Sequence, residues 1–259
     1  KAIELILSAK KPVIWSGMGV LMSGASEELT EFAELTEVPV YCTMPGKSGF
    51  DQRHPLSLGS GSGAASQEAR TWLQDSDVLF AVGSSMSRTS YGQPIPDGKV
   101  IIHNTETVED LNKDFIVDCG LVGDSKLTLQ MLIQEVKSQL GPDGRKGSTN
   151  VASEIKDIHD KWMSGWTEVL ATDEVPISGY RVIGEMVRVL DLENSVVTHD
   201  AGAPRDMIMP FYPGTVPHSY VGWGKTTHLG YGIPLMTGVK LACPDKFCLN
   251  IMGDGAFGM

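Results

Sequence analysis

Short apolar runs alternate along this chain with stretches whose apolar residues recur at helical spacing. The opening residues carry Ile3, Leu5, Ile6 and Ala9 in a helix-like pattern. Pro12 to Trp15 then reads as a strand, Ser26 to Glu37 as a helix with Leu29, Phe32, Ala33 and Leu35 on one face, and Val38 to Thr43 as a second strand. Ala64 to Gln74 predicts a helix, followed by strands at Val78 to Val82, Val100 to His103 and Gly120 to Val122. Ser125 is placed to cap a helix that runs to Leu140, with Leu127, Leu129, Leu132, Ile133 and Val136 on its face. Strands alternating with helices imply a parallel, doubly wound sheet.

Gly141 to Asn150 (GPDGRKGSTN) breaks the pattern with turn formers and charges and has almost nothing to bury. A polar helix bearing Trp162 and Trp166 follows, and Ala171 to Pro176 forms a second connector. From Ile177 the pattern restarts, with a helix over Tyr180 to Leu190, a strand over Ser195 to His199, a helix over Leu229 to Leu241 and a strand over Phe247 to Met252. The fold class expected is therefore α/β with two doubly wound parallel-sheet domains, the first over residues 1–140, the second over 178–259, and a linker with a crossing helix over 141–177. The last strand pattern ends in a glycine turn with no helix after it. A parallel strand needs both faces covered, so the second domain is expected to be incomplete and the chain a fragment of something longer.

Charge narrows the partners. The formal net charge of -11, without any Lys/Arg-rich run, opposes nucleic acid and anionic membrane, since both are polyanions. It leaves room for one small phosphorylated ligand held by backbone N–H groups and a metal ion. No apolar run approaches the roughly 20 residues of a membrane span, and no signal-peptide pattern opens the sequence, so the expected setting is cytoplasmic. Cys42, Cys119, Cys243 and Cys248 lack metal-site or disulfide spacing and read as small buried hydrophobes.

Gly17-Met18-Gly19 follows the first strand and invites a dinucleotide-binding reading. The third glycine of that fingerprint falls on Met22, and Tyr41, Cys42 and Thr43 stand where a ribose-binding carboxylate would close the second strand. The simpler reading is a strand-to-helix turn that excludes side-chain bulk.

A stronger signal ends the second unit, where the strand runs into Gly253-Asp254-Gly255-Ala256-Phe257. A carboxylate between two glycines at a strand's carboxyl end suits a hard divalent cation bridging to a diphosphate. The competing reading is a tight turn. Upstream lie Thr198-His199-Asp200-Ala201-Gly202 and the glycine-rich Gly222-Trp223-Gly224-Lys225-Thr226-Thr227-His228-Leu229-Gly230-Tyr231-Gly232-Ile233-Pro234. These segments, with KPVIWSGMGVLMSGASEEL, VPVYCTMPGKSGF and HPLSLGSGSG in that order in the first unit, resemble the thiamine-diphosphate enzymes of the acetolactate synthase group. The resemblance covers essentially the whole chain and makes it the middle domain plus the start of the cofactor-diphosphate domain.

That resemblance implies thiamine diphosphate and Mg2+ as cofactors, with Asp254 as a magnesium ligand. It places Gly253, Gly255, Ala256 and Phe257 against the diphosphate, and Gly202 and Ala203 in the first diphosphate-side loop. Leu229 matches the bulky apolar residue that props the cofactor in a bent conformation, bringing its own base against the reacting C–H. The group carries a Gln-His pair where this chain has Pro204 and Arg205; Arg205 is either a partner for phosphate or carboxylate, or an exposed loop arginine. Three histidines are open as proton carriers: His199 is cofactor-proximal or caps the sheet edge, His228 faces the active-site cavity or does not, and His54 packs a loop.

Two departures count. After Val100 to Ile102 the segment His103-Asn104-Thr105-Glu106-Thr107 lacks the aspartates that accompany FAD in the group, which argues against FAD. Thr226, Thr227 and His228 replace smaller or apolar residues and point to a different substrate. The activating glutamate and the asparagine that completes the magnesium site are expected outside this chain, which alone should be inactive. The full-length protein is expected to be a homodimer or homotetramer that decarboxylates a small 2-oxo acid such as pyruvate and passes on the product. The alternatives are a decarboxylase or lyase of acyl-CoA substrates, and a non-catalytic nucleotide-binding or assembly module.

Overall fold

The structure, a computed structural model, describes residues 1–61, 63–223 and 228–259. Strands β1 (Pro12–Ser16), β2 (Val40–Thr43), β3 (Ser57–Gly61), β4 (Val78–Val82), β5 (Val100–Thr105) and β6 (Cys119–Val122) form one sheet in the order β3-β2-β1-β4-β5-β6. Every neighbouring pair in it is parallel. Strands β7 (Ser195–His199), β8 (Tyr220–Val221) and β9 (Phe247–Ile251) form a second, smaller parallel sheet in the order β8-β7-β9. The expected α/β class with two parallel sheets is what the chain adopts.

Both faces of the larger sheet are covered, as continuous apolar strands require. On one face lie α1 (Ala2–Ser8), α3 (Ser26–Thr36) and α5 (Ser125–Leu140), whose Ile3, Leu29, Phe32 and Leu132 pack on Ile14, Phe80 and Ile102. On the other, Trp72 and Leu73 of α4 (Gln67–Asp75) and Ile155 of α6 (Val151–Ser164) pack on Val13, Trp15 and Leu79. The five-residue α2 (Met18–Met22) fills the turn after β1.

The differences from the sequence reading have local causes. Strand β3, SLGSG, has no counterpart in the sequence reading because it lacks apolar alternation; it is an edge strand whose register against β2 shifts between Val40 and Cys42, with Gly59 at φ +75°. Helix α4 begins at Gln67 rather than Ala64. The cap of α5 is Asp124, whose Oδ1 accepts from the Leu127 amide at 2.9 Å. Ser125 is buried instead, and its hydroxyl donates to Asn104 Oδ1 at 3.0 Å. Short helices α7 (Thr167–Leu170), α9 (Ala203–Ile208) and α11 (Asp254–Phe257) were not expected, being too brief to show a period.

Residues 141–150 form turns, as expected, but their backbone is fastened down. The Glu37 carboxylate accepts from Gly147 N at 2.6 Å and Thr149 N at 2.7 Å, and Arg145 N donates to Leu35 O at 2.7 Å. Trp162 lies in α6 and Trp166 just ahead of α7. They meet Phe211 at centroid distances of 5.3 and 4.8 Å, and Tyr180 of α8 (Gly179–Val189) lies 5.0 Å from Trp166. The helix whose Ile155 enters the first core thus ends in an aromatic cluster beside the second sheet.

A second joint is made by the loop after β2. Lys47 is fully buried, and its ammonium donates to Gln52 Oε1 (2.7 Å), Ser60 Oγ (2.8 Å) and Met209 O (3.3 Å), 5.2 Å from the Tyr220 ring centroid. Among the described residues no carboxylate pairs with it. Gln52 N donates to Gly214 O at 3.0 Å, and Ser48 Oγ to Tyr220 O at 3.3 Å. Backbone contact is so close that a Cβ on Gly222 would lie 1.8 Å from Met44 O.

Two predictions follow from this joint. Burial pushes the Lys47 ammonium down to about 7 from its ordinary 10.5, so above about pH 7 the unfolded chain binds more protons than the folded one. Stability should therefore rise with pH between about 7 and 9, by at most about 1.4 kcal/mol per pH unit from this group. Cys42, whose thiol burial pushes up from 9.0 to about 12, acts in the opposite sense only above that window. Denaturant midpoints at the two ends of the window should show the slope in the wild type and lose it in Lys47→Met; equal slopes refute the assignment. Gly222→Ala should destabilise by about 1–3 kcal/mol through overpacking, read from thermal unfolding.

Candidate functional site

Strand β7 is the centre of the smaller sheet and is buried along its whole length. Its register with β9 pairs His199 with Ile251, so the segments that leave the two strands emerge side by side. One begins with Asp200, Ala201 and Gly202, the other with Gly253 and Asp254. The Asp200 amide donates to Ile251 O at 2.8 Å and closes the gap between them. Helix α10 (Gly232–Ala242) packs beside β9, and the turn that leads into it folds over the same edge. The sequence reading began that helix at Leu229; Leu229 to Tyr231 form a turn instead, with Gly230 at φ +85°.

The side chain that binds these segments together is the Asp200 carboxylate, which is fully buried. Oδ1 accepts from Ala201 N at 2.8 Å and Gly230 N at 3.2 Å, and Oδ2 from Gly232 N at 3.1 Å. On its far side the turn rests on α11, since a Cβ on Gly230 would stand 3.2 Å from Ala256 O. A Cβ on Gly232 would stand 2.3 Å from Asn250 Oδ1. Three turns therefore converge at the carboxyl edge of the sheet, where open α/β sheets bind ligands.

The residues singled out from sequence fall on these turns. Gly202, at φ +90°, and Ala203 open α9 and are exposed. Leu229 is 38% exposed. Gly253 precedes α11, Asp254 and Gly255 are exposed in its first turn, Ala256 is buried beneath them and Phe257 is exposed. A Cβ on Gly202, Gly253 or Gly255 would meet nothing within 4 Å, so backbone at all three is open to approach. The Asp254 carboxylate makes no hydrogen bond or ion pair among the described residues. A hard divalent cation fits a free carboxylate oxygen of this kind, but the described residues hold no group of three or more His, Cys, Asp or Glu able to cage a metal. Such an ion would complete its shell with water and ligand phosphate.

The basic candidates are placed differently. His199 sits in the central strand rather than at a sheet edge and is buried. Its ring lies parallel to that of Trp223 at 5.5 Å, and its Nδ1 is 2.8 Å from the Tyr220 hydroxyl. Burial, with the nearby Arg205 charge, pushes its pKa down to about 4, so the ring is neutral near pH 7. Arg205 is not an exposed loop arginine. It is buried, grips Asp206 through two bonds of 2.9 and 3.0 Å, and lies over the Tyr91 ring. His228 is exposed. His54 packs against Phe50 at 5.0 Å and its Nδ1 accepts from Leu56 N, as a loop-packing residue should. Thr226 and Thr227, with Gly224 and Lys225, lie outside the described residues.

A cavity of about 670 Å³ opens at the carboxyl ends of β1, β2 and β4, lined by Trp15, Tyr41, Met86, Phe115 and Trp223. Gly17 and Gly19 lie on its floor, but their lack of a side chain serves packing. A Cβ on Gly17 would lie 2.2 Å from Gly83 O, and one on Gly19 would lie 2.7 Å from Gly83 Cα. The Gly17-Met18-Gly19 turn is thus the bulk-excluding strand-to-helix turn. Asp200 and Trp223 are the site residues that sequence reasoning did not single out. The only available signal was an acid followed closely by glycine at the end of an apolar strand.

Comparison with known proteins agrees with this geometry. Residues 1–132 match the model of the thiamine pyrophosphate enzyme central domain, and residues 200–259 that of the thiamine pyrophosphate enzyme C-terminal TPP binding domain. A Methanococcus aeolicus protein named Probable acetolactate synthase large subunit is 32% identical over all of this chain and 44% of its own length. Its namesake in Methanocaldococcus jannaschii is 31% identical, again over the whole chain and 44% of its length. Acetolactate synthase isozyme 3 large subunit of Escherichia coli is 26% identical over the whole chain and 45% of its length. The chain spans less than half the length of these relatives. With a family model covering more than half its residues and its glycine turns gathered at one sheet edge, the chain belongs to the thiamine pyrophosphate enzymes.

Proposed function

We propose that the full-length protein is a thiamine-diphosphate- and Mg2+-dependent lyase or carboligase, acetolactate synthase-like, that acts on a small 2-oxo acid. The observation that carries this reading is the convergence of the 201–203, 229–232 and 253–257 turns on one edge around the buried Asp200 carboxylate, with the Asp254 carboxylate exposed beside them and making no hydrogen bond or ion pair among the described residues. The names of the relatives support the substrate class. When bound, thiamine diphosphate supplies a nucleophilic carbon and an electron sink. In this reading an Asp254 oxygen binds the metal ion, and the open backbone of Gly202, Ala203, Gly253, Gly255, Ala256 and Phe257 receives the diphosphate. Leu229, half out of the protein at the same edge, props the cofactor.

These residues hold and orient; no proton transfer is assigned to them. His199 is a poor carrier, being buried, stacked and pushed down to about 4. Among the described residues His228, exposed and next to Leu229, is the histidine left to reach a ligand at this edge. The isolated chain is accordingly expected to be inactive, and the working enzyme to be a cytoplasmic homodimer or homotetramer.

FAD has no part in this reading. The Asn104 side chain, which follows β5's apolar run, is spent on protein: Oδ1 accepts from Gly83 N and Ser125 Oγ, and Nδ2 donates to Leu121 O, Gly123 O and Thr128 Oγ1. The 670 Å³ cavity favours one second reading, an acyl-CoA decarboxylase or lyase with part of its substrate or a nucleotide seated there. Saturable binding of ADP or CoA would support it.

The test is calorimetric. In the full-length protein thiamine diphosphate should bind in a Mg2+-dependent manner, and Asp254→Ala should weaken that binding by about tenfold or more, as loss of a charged metal ligand implies. Unchanged Mg2+-dependent binding in the variant would return Asp254 to the role of a turn residue.

A further inference from the structure

Asp200 is the most heavily engaged buried acid at this edge, and nothing in the proposed cofactor chemistry uses it. Its carboxylate has zero exposure and is balanced by backbone amides alone. Among the described residues no cation pairs with it. A buried carboxylate is costly unless hydrogen bonds satisfy it, and those it accepts from N–H groups are short-range and directional. Two of the three come from Gly230 and Gly232, which flank Tyr231 and immediately follow Leu229. Glycine is favoured at Gly230 by its φ of +85°, and at Gly232 a Cβ would stand 2.3 Å from Asn250 Oδ1 and oblige that side chain to move. A turn so rich in glycine has high conformational entropy when free, so something must fix it.

We propose that Asp200 is a positioning residue that acts through the 229–232 turn, fixing Leu229 at the carboxyl edge so that the bound cofactor meets a preformed support. The inference rests on the reading of Leu229 as the cofactor prop. Asp200 does not itself touch the cofactor. Its own amide, bonded to Ile251 O, ties the same clamp to the strand that delivers Gly253 and Asp254. One residue thereby sets the spacing between the prop and the metal-binding turn.

The experiment uses the full-length protein and three variants, Asp200→Asn, Leu229→Ala and the double variant. Asparagine keeps the shape but puts an NH2 group where an acceptor faces an amide. Hydrogen exchange at the Gly230 and Gly232 amides, measured without cofactor, should accelerate in Asp200→Asn while exchange in β7 and β9 stays slow. The Kd for thiamine diphosphate with Mg2+ should rise about tenfold, the effect of losing one charge-assisted hydrogen bond. In the double variant the two effects should not add, because Asp200 acts through Leu229. Additive losses, or an unaltered Kd in Asp200→Asn beside wild-type binding, overturn the proposal and leave the functional reading standing. Failure of the wild type to bind thiamine diphosphate sinks that reading and this inference together. Should Asp200→Asn not fold, Asp200→Glu, which retains the charge, is read by the same exchange and titration; unchanged exchange at both glycine amides, or additivity with Leu229→Ala, then counts against the clamp.

Discussion

The joint between the two sheets is built over a lysine that has no counter-ion among the described residues. Taking an ammonium out of water costs several kcal/mol, and Lys47 offsets that only in part, through neutral acceptors held in place around it. Those acceptors come from both halves of the chain: Ser60 from β3, Gln52 from the loop beside it, and the Met209 carbonyl from the end of α9. The Tyr220 ring of β8 supplies a fourth, weaker contact. Drawing the two sheets apart would strip two of these away and open the ammonium to water. Lys47 thus sets a cost on assembly: the joint closes over it with these acceptors in place, and closes more favourably once it has lost its proton.

From that joint a line of contacts leads to the functional edge. The Met44 carbonyl presses on Gly222, which leaves no freedom in where the chain departs β8. The next residue, Trp223, donates from its indole to the His199 carbonyl at 2.8 Å and lies flat against the His199 ring. His199 precedes Asp200, whose carboxylate holds the 229–232 turn. A neutral imidazole suits this position, because a charged ring would add a second unpaired cation close to Lys47 and Arg205. The site is therefore supported from behind by packing and faced in front by glycine backbone.

What could be read from sequence divides along a physical line. Strands β1, β4 and β7 are central and parallel, so both faces are buried and their apolar runs announce them. Strand β3 is held by backbone pairing at an edge, and β8 is two residues long, so neither needs an apolar signature. The end of β9 was legible because Gly253-Asp254-Gly255 is a run of turn formers after an apolar strand. Asp200 was not, because its partners are amides of Gly230 and Gly232, and an amide has no letter in the sequence. The same holds for Glu37, whose carboxylate fastens Gly147 and Thr149 of a segment that composition marks as loose. Arg205 was open in sequence between a ligand partner and an exposed loop arginine, and its pairing with Asp206, which lets it be buried, has no local signature.

Glycine illustrates why local pattern alone could not sort structure from function here. Gly17 and Gly19 look like a nucleotide fingerprint, yet the space a side chain would take is already filled by Gly83, so their form follows from backbone meeting backbone. Gly202, Gly253 and Gly255 look no different in sequence, but nothing lies within 4 Å of where their side chains would be. In the first pair the missing side chain is accounted for by the protein. In the second group packing leaves it unaccounted for, apart from the positive φ at Gly202; the main chain there is simply open, as it also is at Gly63 and Gly238. Open glycine backbone therefore does not mark a site by itself; what sets Gly202, Gly253 and Gly255 apart is that all three lie at the one sheet edge that the buried Asp200 carboxylate holds in shape.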